Sequence, residues 1–221
     1  MKLFFRALTK MMMGMLLMGL VLFLPAGTWN YPNGWLFCIL LFLPMLIMGT
    51  VLFLKAPDLL EKRLNNKETE KAQVGVVVAS SLLFIAAFLA AGLDFRLGWT
   101  QVPTWLVYTA AAVQLAAYGL YAEVLRENAY LSRTVEVQEN QKVIDTGLYG
   151  IIRHPMYTAT ILLFLAMPLV LGSWVSFGIM LLYPVLILFR IRNEEKVFEA
   201  ELEGYRDYKK RVRFRLIPFL W

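Results

Sequence analysis

The sequence predicts an all-α, polytopic membrane protein with about six transmembrane helices, including a helical hairpin, and a cytoplasmic C-terminal helix. Its 221 residues are 59% hydrophobic and only 17% charged, whereas about a quarter of the residues in a soluble domain are charged. Long uncharged runs, typical of membrane spans, separate the charged clusters. Of the 22 lysines and arginines, 21 fall on one side of the membrane if the chain crosses it six times.

Six apolar segments account for the predicted helices: roughly 8–24, 35–54, 74–93, 102–125, 157–171 and 174–189. Most approach the ~20 residues needed to cross ~30 Å of hydrocarbon. The last two are short, and the turn at Gly172 and Ser173 predicts that they form a tight hairpin. Pro168 and Pro184 are expected to kink its arms. Five spans with a re-entrant hairpin remain an alternative to six spans.

The distribution of basic residues predicts that both termini are cytoplasmic. The lysine- and arginine-rich segments are 1–10, 55–73, 126–156 and 190–221, and Arg96 is the basic residue left outside. Orientation in a bilayer therefore explains the net charge of +6 without a nucleic-acid partner. We expect 55–73 to be an amphipathic connector lying on the headgroups. A signal peptide is the alternative interpretation of the first apolar segment.

Few classes of chemistry fit the polar residues of this chain. The one cysteine, Cys38, forms no internal disulfide and offers no zinc spacing. Because there is also only one histidine, carboxylates are the side chains left to bind a catalytic metal. No phosphate-binding loop, dinucleotide glycine motif or serine or cysteine nucleophile with a plausible base is apparent. Methyl transfer from a sulfonium remains attractive, because it needs little from the protein beyond positioning.

Polar side chains break the fourth apolar segment on one helical face. Gln114, Tyr118, Tyr121 and Asn128 share that face by their spacing. Such residues either hydrogen-bond neighbouring helices or line a cavity. Both interpretations stay open.

The stretch TGLYGIIRHPMYTA, residues 146–159, contains the single histidine. Pro155 suits the first turn of the helix that follows, which puts Arg153 and His154 at a helix N-terminus that favours anions. Tyr149 and Tyr157 are suited to flank a planar ring or to shield a cation. Each residue alone is also explained by the membrane interface, where arginine snorkels and tyrosine is common.

The C-terminal stretch places acidic residues beside the end of the hairpin. If 190–212 is one helix, Glu194 shares a stripe with Phe198 and Tyr205 and points toward the core. An inward carboxylate is costly unless it is paired, and Arg190 and Arg192 are both near enough to pair with it. Alternatively, Gly204 ends the helix early and the stripe fails beyond it. The hairpin returns the chain to the face from which it began, so these carboxylates can meet the His-Pro turn.

Together, GLYGIIRHPMY and RNEE…GYRDYKKRV…P resemble the isoprenylcysteine carboxyl methyltransferase family of integral membrane enzymes, which is related to the phospholipid N-methyltransferases. The resemblance covers about 126–221. It implies a methyltransferase core there, preceded by N-terminal transmembrane helices over 1–125 in one membrane domain. It also implies S-adenosylmethionine as methyl donor, bound in a cytoplasmic pocket roofed by the C-terminal helix.

The resemblance further implies roles for individual residues. Arg192 is placed on the substrate side, where it would orient a carboxylate, and Arg153 is the second expected catalytic residue. Between the two adjacent carboxylates, the helical stripe favours Glu194. The expected cofactor-binding residues are Gln138, Gln141, Lys142, Val143, Ile144, Tyr149, His154, Pro155, Met156, Tyr157, Glu194 and Glu195.

The expected acceptor is a lipid-like or prenylated amphiphile in the bilayer, with an isoprenylcysteine-type carboxylate favoured. The short connection between Gln138 and Lys142 and the tight spacing of Gly204 and Tyr205 depart from the family pattern. Compact loops favour a prokaryotic member in an inner membrane. A phospholipid N-methyltransferase, a sterol-reductase-like NADPH oxidoreductase and a non-enzymatic membrane scaffold are the alternatives. No metal is expected.

Overall fold

A computed structural model describes residues 2–64, 71–131, 137–138 and 140–221. Across these residues the chain is helical, and a single-turn 3-10 helix at Gly147–Gly150 precedes α6. The α-helices of the described residues are α1 Lys2–Ala26, α2 Pro32–Lys55, α3 Pro57–Leu64, α4 Lys71–Leu97, α5 Thr104–Glu127, α6 Pro155–Leu171, α7 Trp174–Met180, α8 Tyr183–Glu201 and α9 Tyr205–Arg211.

Four regions of the described chain are long and apolar enough to cross a membrane: α1, α2, most of α4, and Trp174–Glu201, which joins α7 and α8. Helix α6 is apolar but shorter, with 17 residues. Helix α5 has 24 residues, but Gln114 and several tyrosines make it less apolar. The prediction of an all-α polytopic membrane protein is therefore confirmed.

Prolines and glycines set the ends of the helices in the hairpin. Pro155 opens α6, and Gly172 ends it in the left-handed region at φ 84°. The N–H of Ser173 then reaches the carbonyl of Pro168 at 3.0 Å, which satisfies one of the last helical carbonyls. Pro168 lies inside α6 as expected, whereas Pro184 lies in the first turn of α8, where proline fits without a kink.

Helix α6 is the centre of the bundle, and it contacts α2, α4, α5, α7 and α8. Its buried face includes Ala166, Met167 and Val170, which pack with α1, α2 and α5 in one apolar cluster. Tyr157, near its start, packs in a second cluster with residues of α4 and α8 such as Ile187. A short helix is sufficient here because its neighbours cover it.

A buried polar network ties α4 to the hairpin at the end of the molecule where α6 finishes. Asp94 is 1% exposed, and its carboxylate accepts from the Thr100 N–H at 2.7 Å and from the Thr100 hydroxyl at 2.5 Å. The Ser173 hydroxyl also donates to Asp94, and its oxygen accepts from the Ser176 N–H at 3.0 Å, which caps α7. One carboxylate thus joins α4, the following loop and the hairpin turn.

Helix α3 packs across the other end of the bundle, where α6 begins. Leu59 and Leu60 are buried, while the cations Arg6 and Lys10 of α1 donate to the carbonyl of Leu64 at its last turn. Cations at a helix C-terminus satisfy its unpaired carbonyls and favour its dipole. The predicted connector therefore includes a docked helix, and its residues 65–70 lie outside the described chain.

Of the two alternatives for 190–212, one continuous helix is wrong, and the structure has the one in which Gly204 ends the helix early. Helix α8 ends at Glu201, Gly204 adopts φ 80°, and α9 starts at Tyr205. Glycine takes this left-handed conformation at little cost, so the chain changes direction there. The segment after α9 folds back, where the carbonyls of Phe214 and Arg215 accept from the N–H groups of Arg153 and His154, both at 2.9 Å.

Candidate active site

A polar cavity of about 100 Å³ lies where the 3-10 turn, the start of α6, α8 and α9 meet. Ten of the residues predicted from sequence line it: Gln141, Lys142, Val143, Ile144, Tyr149, Arg153, His154, Met156, Tyr157 and Glu194. We call this space the polar cavity. Residues far apart in sequence reach it because the hairpin returns α8 to the start of α6.

Arg153 is buried at the edge of this cavity with its guanidinium already engaged. Its Nε lies 2.8 Å from Glu195 Oε1, and its Nη1 donates to the carbonyls of Val212 and Arg213, both at 2.7 Å. Charge-assisted hydrogen bonds of this kind are strong and directional. Arg153 therefore links α8 to the C-terminal segment, and its expected catalytic role stays a prediction.

The adjacent carboxylates of α8 have different surroundings. Glu195 is 3% exposed, and its carboxylate lies 3.2 Å from His154 Nε2 and 3.1 Å from an Arg215 nitrogen, besides the contact with Arg153. Glu194 lines the polar cavity and accepts a hydrogen bond of 2.6 Å from the Tyr157 hydroxyl. Glu195 thus holds the site together, while Glu194 faces the space a ligand would enter.

Tyrosines form much of the remaining wall. The Tyr208 hydroxyl donates to the carbonyl of Tyr149 at 2.8 Å, and Asn128 donates to the Tyr149 hydroxyl at 3.1 Å. The Tyr205 hydroxyl is buried without a hydrogen-bond partner among the described residues. Burial raises the pKa of both Tyr205 and Tyr208, so both stay protonated at neutral pH. Tyr205 therefore carries an unused donor beside the cavity.

Four of the predicted residues do not line this cavity. Gln138 accepts from Lys62 at 2.6 Å and donates to the carbonyl of Tyr130, also at 2.6 Å. Pro155 is buried in the first turn of α6, and Glu195 lies in the ion cluster described above. Arg192 is exposed and lines neither this cavity nor its neighbour.

A second, larger cavity of about 550 Å³ lies between α2, α4, α5, α6 and α8. We call it the apolar cavity, since Leu41, Phe84 and Leu163 are among its lining residues. Tyr118 and Tyr121 also line it, so two polar side chains of the fourth apolar segment are cavity wall. Gln114, by contrast, is buried and contributes to neither cavity.

The two cavities share three residues, namely Met156, Tyr157 and Arg190. Arg190 Nε donates to the Tyr157 hydroxyl at 2.9 Å, and that hydroxyl bonds Glu194. Sequence reasoning considered Arg190 as a partner for Glu194 but gave the substrate side to Arg192. The signal that separates them is helix phase, because Arg190 lies one turn before Glu194 and so shares its face.

Comparisons with known proteins agree with this fold. A family model described as phospholipid methyltransferase matches residues 104–203. The solved eukaryotic intramembrane Ras methyltransferase, isoprenylcysteine carboxyl methyltransferase, is similar with a TM-score of 0.55 and 20% identity, over 92% of this chain and 74% of that one. The Delta(14)-sterol reductase of Mus musculus is 25% identical over 91 residues, which are 40% of this chain and 22% of the reductase.

The fold and the paired cavities define a polytopic membrane protein with a polar site at one end of its helices and an apolar cavity beside it. Over residues 104–203 it is similar to the phospholipid methyltransferases, and its fold is similar to that of isoprenylcysteine carboxyl methyltransferase. The resemblance drawn from the sequence is therefore confirmed. The family match starts at residue 104, within the part that the sequence assigned to N-terminal helices. The chain spans about a fifth of the reductase.

Proposed function

We propose that this protein transfers a methyl group from S-adenosylmethionine to an amphiphilic acceptor that stays in the membrane. The observation that carries the proposal is the junction of the two cavities at Met156, Tyr157 and Arg190. A water-soluble donor suits the polar cavity, and a hydrocarbon chain suits the apolar cavity. Their reacting ends would meet at the shared wall.

The residues of the polar cavity fit the proposed donor. The Glu194 carboxylate is a hydrogen-bond acceptor for hydroxyl or ammonium groups, and the Tyr205 hydroxyl is a donor without a partner among the described residues. The rings of Tyr149 and Tyr157 suit an adenine ring or a sulfonium cation. His154, held against Glu195 at 3.2 Å, would shape the pocket.

On the acceptor side we assign to Arg190 the role that the sequence analysis gave to Arg192. When S-adenosylmethionine is bound it supplies an electrophilic methyl group, and a carboxylate oxygen of the acceptor forms the new C–O bond while the C–S bonding pair leaves with sulfur. A carboxylate is ionised near neutral pH, so no proton has to be removed. Arg190 would orient that carboxylate, and the tight walls would exclude water.

A carboxylate acceptor of the isoprenylcysteine type is our preferred substrate. The size and apolar lining of the second cavity support a long hydrocarbon chain, and an arginine at its polar end supports an anionic headgroup. The family match supports a second candidate, a phospholipid whose amine is methylated. In that case Arg190 would hold the lipid phosphate.

The first test is calorimetry of the purified protein in detergent with S-adenosylhomocysteine. We expect saturable binding, with no binding of NADPH under the same conditions. Transfer of labelled methyl groups to N-acetyl-S-farnesylcysteine and to phosphatidylethanolamine then identifies the acceptor class. Binding of NADPH alone would contradict the proposal and support a reductase, and binding of neither would support a scaffold.

A further inference from the structure

We infer that Arg63, in helix α3, recognises the anionic headgroup of the acceptor. The inference rests on the proposed function and extends it to a residue outside the matched region of 104–203. Sequence reasoning assigned this part of the chain to a connector on the headgroups. The structure brings Arg63 into the wall of the apolar cavity instead.

The packing of α3 directs Arg63 toward the bundle. Leu59 and Leu60 are each 6% exposed, and Arg63 follows them by four and three residues, so all three lie on one face of the helix. The cations of α1 hold the last turn through the carbonyl of Leu64. Arg63 is therefore held on a docked helix and does not extend into water.

Contacts across the bundle place the Arg63 guanidinium beside the junction of the two cavities. It donates a hydrogen bond to the Tyr121 hydroxyl, and its central carbon lies 5.5 Å from the centre of that ring. Its Nη1 lies 3.9 Å from the sulfur of Met156, one of the residues that both cavities share. The headgroup of an acceptor at this junction would be within its reach.

The charge around the apolar cavity indicates what kind of headgroup fits. Among the described residues that line it, Arg63 and Arg190 carry charge, and both are positive. Two guanidinium groups at the end of an apolar cavity complement a carboxylate or a phosphate. The geometry thus favours an anionic amphiphile over a neutral one with the same hydrocarbon chain.

Lys62, the residue before Arg63 in α3, has its contacts on the side of the polar cavity and so offers an internal comparison. Lys62 Nζ lies 2.6 Å from the Gln138 side-chain oxygen and 6.0 Å from the centre of the Tyr130 ring. Tyr130 lines the polar cavity. A general loosening of α3 would therefore disturb the donor side as well, whereas loss of the Arg63 charge alone would leave it intact.

The test compares binding of charged and neutral amphiphiles to the full-length protein and its variants. The pairs are N-acetyl-S-farnesylcysteine with its carboxamide, and a phosphatidic acid with the matching diacylglycerol. Arg63→Met removes the charge, Arg63→Lys keeps it, and Asp58→Asn is the control at an exposed position of α3. Displacement of a fluorescent amphiphile reports binding without turnover, and S-adenosylhomocysteine calorimetry monitors the donor site.

We expect Arg63→Met to weaken binding of the anionic member of each pair by about ten- to a hundredfold, as loss of a charge-assisted hydrogen bond does. The neutral member and the donor affinity should stay unchanged, and Arg63→Lys should restore part of the loss. The pair whose anionic member loses more affinity identifies the preferred headgroup as a carboxylate or a phosphate. Equal weakening of both members, unchanged binding of both, or a matching loss of donor affinity would overturn the inference. Absence of methyl transfer would refute the proposed function alone, since the binding assay needs no turnover.

Discussion

At the scale of single residues, the contrast between Glu194 and Glu195 explains most of the site. Both are carboxylates on α8, but successive residues of a helix point in different directions. Glu195 meets Arg153, His154 and Arg215 in the interior, whereas Glu194 meets the Tyr157 hydroxyl at the cavity wall. One carboxylate therefore fixes the architecture, and the other remains available to a ligand.

Replacing Glu194 by glutamine should weaken binding of S-adenosylhomocysteine. The change keeps the size of the side chain but removes a charged acceptor, a loss of about 1.5–3 kcal/mol when the partner is a hydrogen-bond donor. Isothermal titration calorimetry measures the effect. Glu201→Gln, at the exposed end of α8, is the matched control and should change little. Similar losses in the two variants would show that Glu194 has no specific role.

Replacing His154 by asparagine should raise the donor KM more than it lowers kcat. His154 contacts Glu195 at 3.2 Å and lines the polar cavity, so we expect it to act in binding. A contact made equally in the ground and transition states affects KM in this way. The pH–rate profile should keep its shape, because a carboxylate acceptor needs no base. A fall in kcat at constant KM, with loss of the acidic limb, would instead favour an amine acceptor.

At the scale of elements, the apolar runs predicted the helices well, because helical segments in a membrane must satisfy their own backbone. Over 190–212 the sequence left two alternatives open, and the left-handed conformation of Gly204 decides between them by ending the helix early. Contacts such as that of Arg63 with Met156 were beyond prediction, since they join residues 93 positions apart. The family resemblance identified ten of the residues that line the polar cavity, whereas the apolar cavity depends on how helices pack.

Replacing Asp94 by alanine should loosen the hairpin while leaving the donor site intact. The change removes the acceptor shared by Thr100 and Ser173, and each buried group left unsatisfied costs about 1–3 kcal/mol. We expect a lower midpoint of thermal unfolding in detergent, with S-adenosylhomocysteine affinity preserved at low temperature. Arg96→Ala, an exposed change two residues later, is the control. An unchanged midpoint would mean that the network contributes nothing to stability.

At the scale of the whole molecule, the two ends of the bundle differ in charge and in function. The polar cavity, α3 and α9 lie at one end, with most of the basic residues, and the Asp94 network lies at the other. From the positive-inside rule we propose that the cavity end, with both termini, faces the cytoplasm. In that orientation the polar cavity would be reached by the proposed soluble methyl donor.

Single cysteines introduced at Trp99 and Glu201 should be labelled from opposite sides of sealed vesicles. Trp99 is exposed in the loop after α4, and Glu201 is exposed at the end of α8. Replacing Cys38 by alanine first removes the one native thiol. A membrane-impermeant maleimide should reach Trp99→Cys from outside and Glu201→Cys after permeabilisation. Labelling of both from the same side would refute the proposed orientation.

The shortness of α6 bears on how deep in the membrane the proposed reaction would take place. Helices α4 and α6 finish near each other at Asp94 and Ser173, but α4 has 27 residues and α6 has 17. Counted back from that contact, α4 extends 23 residues to Lys71 and α6 extends 18 residues to Pro155, so at 1.5 Å per residue the start of α6 is recessed by about 8 Å. The proposed acceptor could then react without being lifted out of its leaflet, which would cost about 0.8 kcal/mol for each methylene exposed to water. The proposed donor would move toward the membrane instead.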